Sequence, residues 1–313
     1  MKLSALPFYS LNNGCFMKFD VIIIGGSYAG LSAALQLGRA RKNILIVDAS
    51  ERRNRFASHS HGFLGQDGKA PGEIIAEARR QIERYRTIHR VEGTVTDADG
   101  SFGDFIIEID GSRRERADRL ILAMGVTDEL PEIAGLKERW GSAVFHCPYC
   151  HGYELDQGKI GVIAASPMAI HHALMLPDWG KTTFFTNGIF EPDTDQHAML
   201  AARDVRVETT RITQIAGHAD VVLADGRSIA LTGLFTQPKL RITSRWIEKL
   251  GCAIEEGPMG STIVTDPMKQ TTVRGIFACG DIARPAGSVA LAVGDGAMAG
   301  AAAHQSILFP EIH

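Results

Sequence analysis

The sequence predicts an α/β chain of two three-layer units, the second inserted within the first. Three observations carry this. The apolar run Val21-Ile22-Ile23-Ile24 passes through a glycine turn into residues at helical spacing, then into a second run from Ile44 to Val47. The same strand–turn–helix–strand order returns at Ile160 to Ile163, Ala169 to Leu176 and Thr182 to Phe185. A last stretch, Gly275 to Ala303, brings the chain back with a glycine motif and a small-residue helix. Unbroken apolar runs suit parallel strands buried on both faces, whereas a half-exposed strand would alternate. The expected architecture is therefore two Rossmann-like dinucleotide-binding domains.

In chain order, residues 1–16 read MKLSALPFYSLNNGCF, with one lysine and a short apolar run broken by Pro7. No small-residue cleavage site of a secretory leader follows. This segment is expected to be a poorly ordered extension upstream of an alternative start at Met17. Residues 17–126 form the first part of the outer domain, where Leu31, Ala34, Leu35 and Gly38 mark the first helix. Residues 127–236 form the central domain, and residues 237–313 complete the outer one. The final helix, Val289 to Ala303, is interrupted by Asp295 and too short to span a membrane. Its small residues are expected to let something flat approach closely.

Composition narrows the function. The chain has 313 residues, 45% hydrophobic and 22% charged, which describes an ordinary soluble globular protein. A net charge of −3 without long like-charge runs argues against nucleic acid and anionic membranes as partners. A cytosolic protein is expected. Of the five cysteines, only Cys147 and Cys150 have motif spacing; Cys15, Cys252 and Cys279 read as small hydrophobes. So sparse a set does not describe a disulfide-stapled secreted scaffold.

The turn Gly25-Gly26-Ser27-Tyr28-Ala29-Gly30 lies between a buried strand and a helix, where a phosphate-binding loop belongs. Gly25 suits the tight turn, Ser27 is small enough for close pyrophosphate approach, and Gly30 lets helix meet strand. The helix N-terminal N–H groups then face the phosphates. Asp48, 18 residues after Gly30 at a strand end, is placed to hydrogen-bond a ribose hydroxyl. The equivalent turn in the central domain, Ala164-Ala165-Ser166-Pro167-Met168-Ala169, lacks these features. Alanine resists left-handed backbone conformations, and Pro167 removes an N–H donor. After the next strand the nearest arginine is Arg203, too late to hold a 2′-phosphate. NADPH is not expected to bind there.

Cys147-Pro148-Tyr149-Cys150 is flanked by His146 and His151. This spacing lets two sulfurs cycle between dithiol and disulfide, with a thiolate as the attacking species. A helix starting here would place Pro148 in its first turn and favour thiolate. Either histidine can take the proton released on thiol attack. The same four residues could supply zinc donors, but structural zinc sites draw on separated pairs and no second C-x-x-C accompanies this one. Redox chemistry is the preferred reading and no metal is expected. His59 and His61 are read as ordinary polar loop residues.

Taken together, these motifs resemble the low-molecular-weight thioredoxin reductase family over nearly the whole chain from residue 18. The carrying segments are GGSYAG at Gly25–Gly30, LAMG at Leu122–Gly125, HCPYCHGYE at His146–Glu154 and GIFACGD at Gly275–Asp281. The resemblance implies FAD in the outer domain, a redox-active pair on the central domain with Cys150 nearer the flavin, and a homodimer. It implies cofactor contacts at Asn54, Val95, Ala123, Gly125, Gly280, Asp281, Val289 and Ala290, beside those of the glycine turn and Asp48. Asp281 would contact the ribitol or pyrophosphate. Two departures matter. His151 stands where thioredoxin reductases usually place an aspartate, and the nicotinamide motifs are missing. Both make the chain similar to the dithiol oxidase branch, which closes the disulfides of gliotoxin and holomycin.

The expected chemistry is oxidation of a small dithiol by the Cys147–Cys150 disulfide, with FAD passing the electrons to oxygen and hydrogen peroxide as product. A mixed disulfide would form on Cys147, with His151 and His146 handling the proton. In the rival enzyme reading, NADPH or a ferredoxin-like donor reduces FAD and then a thioredoxin-like protein. A flavin-bound redox sensor is the non-catalytic alternative.

Overall fold

The computed structural model describes residues 18–311, so the expected extension and Cys15 lie outside the described residues. The first unit begins with β1 (Lys18–Ile24), α1 (Tyr28–Arg39), β2 (Ile44–Asp48), α2 (Pro71–Ile82) and β3 (Ile88–Glu92). An antiparallel meander follows, of β4 (Val95–Ser101), β5 (Asp104–Ile109) and β6 (Arg113–Leu122). The strand order is β3-β2-β1-β6-β5-β4. β1 pairs in parallel with β2 on one side and β6 on the other. Its C-terminal end thus lies where strand order reverses, the crevice in which open α/β sheets bind ligands. The apolar run is buried on both faces: Val21 and Ile23 pack with Leu31, Ala34 and Leu37 of α1. Ile22 and Ile24 pack with Phe105 and Ile107 on the opposite side.

The chain leaves this sheet through β7 (Thr127–Glu129). It then forms β8 (Val144–Phe145), α3 (Pro148–His151), β9 (Gln157–Ile163), α4 (Ala169–Met175) and β10 (Gly180–Phe185). Next come α5 (Thr194–Ala202) and β11 (Arg206–Glu208). Asp193 starts α5 by a reciprocal cap, accepting from the Gln196 N–H at 2.8 Å while the Gln196 side chain accepts from its own N–H. A small antiparallel sheet of β12 (Ile212–Ala216), β13 (Asp220–Leu223) and β14 (Ser228–Ile229) precedes β15 (Gly233–Thr236). The main sheet of this unit, ordered β11-β10-β9-β15-β8, is parallel throughout.

The return comprises β16 (Lys239–Arg241), α6 (Trp246–Lys249), β17 (Ile254–Gly257), β18 (Gly260–Ile263), β19 (Ile276–Ala278) and α7 (Val289–Leu308). β19 rejoins the first sheet beside β6. β7 pairs antiparallel with β16, Thr127 opposite Arg241, so the first strand after Val126 belongs with the returning chain. The chain therefore forms two Rossmann-like units, the second inserted in the first.

The last helix is longer than expected and packs on α1. It continues past Ala303 to Leu308. Two of its small residues meet another helix: a Cβ at Gly296 would lie 2.1 Å from the Ala29 carbonyl oxygen, and one at Gly300 2.6 Å from that of Ala33. Smallness was visible in the sequence, but the partner was not. Asp295 of this helix is buried, and Lys269 (2.8 Å) and Arg284 (2.7 Å) supply the counter-charge that a buried carboxylate requires.

Candidate active site

At the C-terminal end of β1, Gly25 takes a left-handed φ of 109°. A Cβ there would lie 2.3 Å from the Ala123 carbonyl oxygen, and one at Gly30 would lie 1.8 Å from that of Gly25. Only glycine fits either position. α1 begins directly after Ser27, whose side chain makes no capping bond, so the first amides of the helix are left for a ligand. The cleft in front of them, about 100 Å³, is lined by Gly25, Ser27, Asp48, Val95 and Ala123 among the expected residues. Gly26 of the glycine turn lines it as well, as do Glu51, Arg52, Ser244 and Trp246, to which no motif or spacing in the chain points.

Asp48 is already oriented: Oδ1 accepts from the Ser50 N–H at 2.9 Å and Oδ2 from Arg79 at 2.7 Å. Asn54 donates to the Tyr28 hydroxyl at 3.0 Å, and burial raises the Tyr28 pKa. Ala29 packs against Gly280 and α7. Gly125 has a φ of 71° with open space where a Cβ would be. Asp281 accepts from Arg53 Nη1 at 2.8 Å, and Val289 and Ala290 form the first turn of α7. Three buried polar atoms near this cleft have no protein partner: Arg52 Nε, Asn54 Oδ1 and Arg79 Nε. Leaving such atoms bare is costly, and FAD offers phosphate and hydroxyl groups to both donors and acceptor. The residues present fit FAD.

Cys147 and Cys150 are joined as a disulfide, Cα atoms 5.3 Å apart. β8 delivers the pair, Cys147 occupies the N-cap of the four-residue α3, and Pro148 sits in its first turn. Gly152 lets the Trp179 ring close over this turn, since a Cβ there would lie 2.7 Å from the indole; Tyr149 meets the same ring edge-on at 5.4 Å. The flanking imidazoles stand against different walls. His146 stacks on Trp140 at 5.9 Å and His151 on Phe145 at 4.3 Å. Among the described residues, no group of three or more metal-ligating side chains is arranged to hold an ion.

Neither imidazole titrates near neutral pH here, contrary to the sequence-based premise. Burial, aided by the charge of Arg53, lowers the His146 pKa to about 3. Burial, aided by His61, lowers that of His151 to about 4, and burial does the same at His172. All three rest uncharged. Their ordinary value is 6.5, so as pH falls from about 6.5 through about 4 the unfolded chain takes up protons that the folded chain refuses. Stability should fall across that window, by up to about 1.4 kcal/mol per pH unit for each histidine. Replacing all three by glutamine should flatten the melting-temperature profile of the holoenzyme between about pH 7 and 4. An unchanged slope would rule out these residues as the cause.

His59 and His61 come to the wall of a second cavity, about 480 Å³, which His151, Phe145, Ser142 and Glu154 also line. His61 Nε2 lies 3.4 Å from Glu154. Nothing local in the sequence ties positions 59 and 61 to position 151.

The central turn differs from the first. Five residues, 164–168, separate β9 from α4, against three between β1 and α1. Ala164 is buried, and the Met168 N–H is turned to the Ser166 hydroxyl at 3.3 Å. No residue of this turn takes the left-handed φ of Gly25.

Comparison with known proteins places the chain among proteins of the same family and fold. A family model described as pyridine nucleotide-disulphide oxidoreductase matches residues 19–299. The chain is 34% identical to thioredoxin reductase tcpT of Claviceps purpurea, over 92% of this chain and 94% of that one. A solved oxidoreductase from Agrobacterium tumefaciens is 91% identical, with a TM-score of 0.93 over 94% of this chain and all of the other. The structure of HlmI is 32% identical, with a TM-score of 0.87 over 96% of each chain.

Proposed function

The chain belongs to the pyridine nucleotide-disulphide oxidoreductase family, and from that premise we propose that it is an FAD-dependent dithiol oxidase. The observation that carries the reading is the Cys147–Cys150 disulfide set beside two uncharged imidazoles. An imidazole held uncharged offers no acid at position 151, whereas thioredoxin reductases usually place an aspartate acid there. The 480 Å³ cavity beside His151, with no lysine or arginine on its wall among the described residues, supports a small, uncharged or cationic substrate.

The reaction proceeds by exchange. A substrate thiol loses its proton to solvent and its sulfur bonds to Cys147 Sγ, while His151 and His146, with pKa values lowered to about 4 and about 3, stay uncharged. The Cys147–Cys150 bond breaks, and its electron pair stays on Cys150. The second substrate thiol then attacks the first substrate sulfur, Cys147 leaves as thiol, and the closed disulfide departs. Phe145 and Trp140 hold the imidazoles in place by stacking. The β1–α1 turn, Asp48, Asn54 and Asp281 would hold FAD, which would supply the two-electron acceptor for the Cys147–Cys150 dithiol and the centre that reacts with oxygen to give hydrogen peroxide.

A thioredoxin-reductase-type enzyme is the second reading, favoured by the names of its relatives. The altered central turn weighs against NADPH, though not against a ferredoxin-like donor. No helix among the described residues is long and apolar enough to cross a membrane. Outer-domain segments at 17–126 and 237–313, a central domain at 127–236 whose first strand, β7, pairs back onto the returning chain, a homodimer and a cytosolic location complete the proposal.

Anaerobic visible spectra of the purified protein separate the readings. Dithiothreitol alone should bleach the flavin, with colour returning in air, while NADPH should bleach it at least about tenfold more slowly. Rapid bleaching by NADPH would overturn the oxidase in favour of the reductase. No turnover with any dithiol would leave the sensor.

A further inference from the structure

We propose that the short turn Arg53–Phe56 couples cofactor occupancy to the placement of the cysteine-bearing unit, with Arg53 as its positioning residue. This coupling rests on the FAD reading and goes beyond it. The turn touches the cofactor side twice. Arg53 Nη1 donates to Asp281 at 2.8 Å, and the neighbouring Asn54 donates to the Tyr28 hydroxyl at the start of α1 at 3.0 Å. It reaches the inserted unit by two routes, one through the connecting strand β7 and one directly. Arg53 Nε and Nη2 fork onto Asp128, on the outgoing strand β7, at 3.1 and 2.6 Å. Phe56 fills the space beside Gly141, where a Cβ would lie 2.7 Å from its Cβ, five residues before His146.

The geometry makes these contacts one device. Arg53 and both acids are largely shielded, with side chains 18%, 10% and 21% exposed, so the links are not ordinary surface pairs. A planar guanidinium can hold two carboxylates at fixed angles, which a lysine ammonium cannot do. Removing either carboxylate leaves a buried charge short of a partner, so the loss is felt at the other. Asp281 is a proposed cofactor contact and Asp128 is not. A ligand that fixes Asp281 therefore tightens Arg53 on Asp128, and by reciprocity the state of Asp128 must alter the affinity for that ligand.

The test is a double-mutant cycle on FAD affinity, read by the fluorescence of flavin released from the full-length protein. Asp128→Asn should weaken FAD binding about tenfold, within the usual range of coupling between sites. In an Arg53→Met background the same substitution should cost less than about twofold, because the link from Asp128 through Arg53 to Asp281 is gone. A role in folding alone would predict equal penalties in both backgrounds. Hydrogen exchange gives the reciprocal readout: FAD should slow exchange across residues 141–151 in the wild type, and at least about fivefold less in Asp128→Asn. Wild-type affinity in Asp128→Asn, or an undiminished penalty beside Arg53→Met, would overturn the coupling while leaving the oxidase reading intact. Failure of the wild type to bind FAD would overturn both.

Discussion

Replacing Cys147 or Cys150 with serine should reduce dithiothreitol oxidation about a thousandfold or more while leaving the protein yellow. Serine is nearly isosteric with cysteine, and α3 is held by Pro148 and by Trp179 closing over Gly152, so the fold should survive. What disappears is the bond that accepts electrons. With no disulfide at 147–150, a substrate thiolate has no sulfur to attack, and covalent catalysis is lost rather than weakened. About a thousandfold corresponds to roughly 4 kcal/mol of barrier. The two variants should differ in one respect. In Cys150→Ser, Cys147 has no neighbour to resolve it, so incubation with an activated disulfide should leave a stable adduct on Cys147, visible by intact mass. Cys147→Ser should form that adduct far more slowly if Cys150 faces inward. Unchanged oxidation in either variant would sink the mechanism.

The second large effect is expected at Gly25. Gly25→Ala forces a side chain onto a φ of 109° and drives its Cβ to 2.3 Å from one backbone atom and 2.8 Å from another. Strain and overpacking together should cost about 3 kcal/mol or more, and the turn can relax only by displacing the amides that would face the phosphates. The variant should purify colourless and melt about 10 °C lower. Gly62 provides the control. Its φ is 77° but nothing lies within 4 Å of where a Cβ would stand, so Gly62→Ala should cost about 1 kcal/mol and keep its flavin. A yellow, equally stable Gly25→Ala would mean that the turn does not hold the cofactor.

The parts legible in the sequence are those that local chemistry dictates. Val21 to Ile24 and Ile160 to Ile163 could only be buried parallel strands, and the glycine turn between β1 and α1 announced a phosphate site through the spacing of Gly25 and Gly30. The pair Cys147 and Cys150 carried its chemistry in four residues. The meander β4–β6 was less visible, because strand Arg113–Leu122 opens with charged residues that face solvent before its apolar half enters the core. Long-range geometry was not visible at all. Arg53 finds its acids 75 and 228 positions away, and His61 reaches Glu154 only because two units fold against one cavity. The depressed pKa values of His146 and His151 depend on that same burial, which no spacing rule encodes.

The pairing of β7 with β16 has an evolutionary reading. Entry and exit of the inserted unit run side by side and antiparallel, Thr127 opposite Arg241. Neighbouring strands lie about 4.8 Å apart. The ancestral chain could thus have been closed by a hairpin at this place, and opening it to accept about a hundred residues would add little loop-closure entropy. A cut across these two strands would sever the inserted unit from the chain without breaking any strand of the seven-stranded sheet.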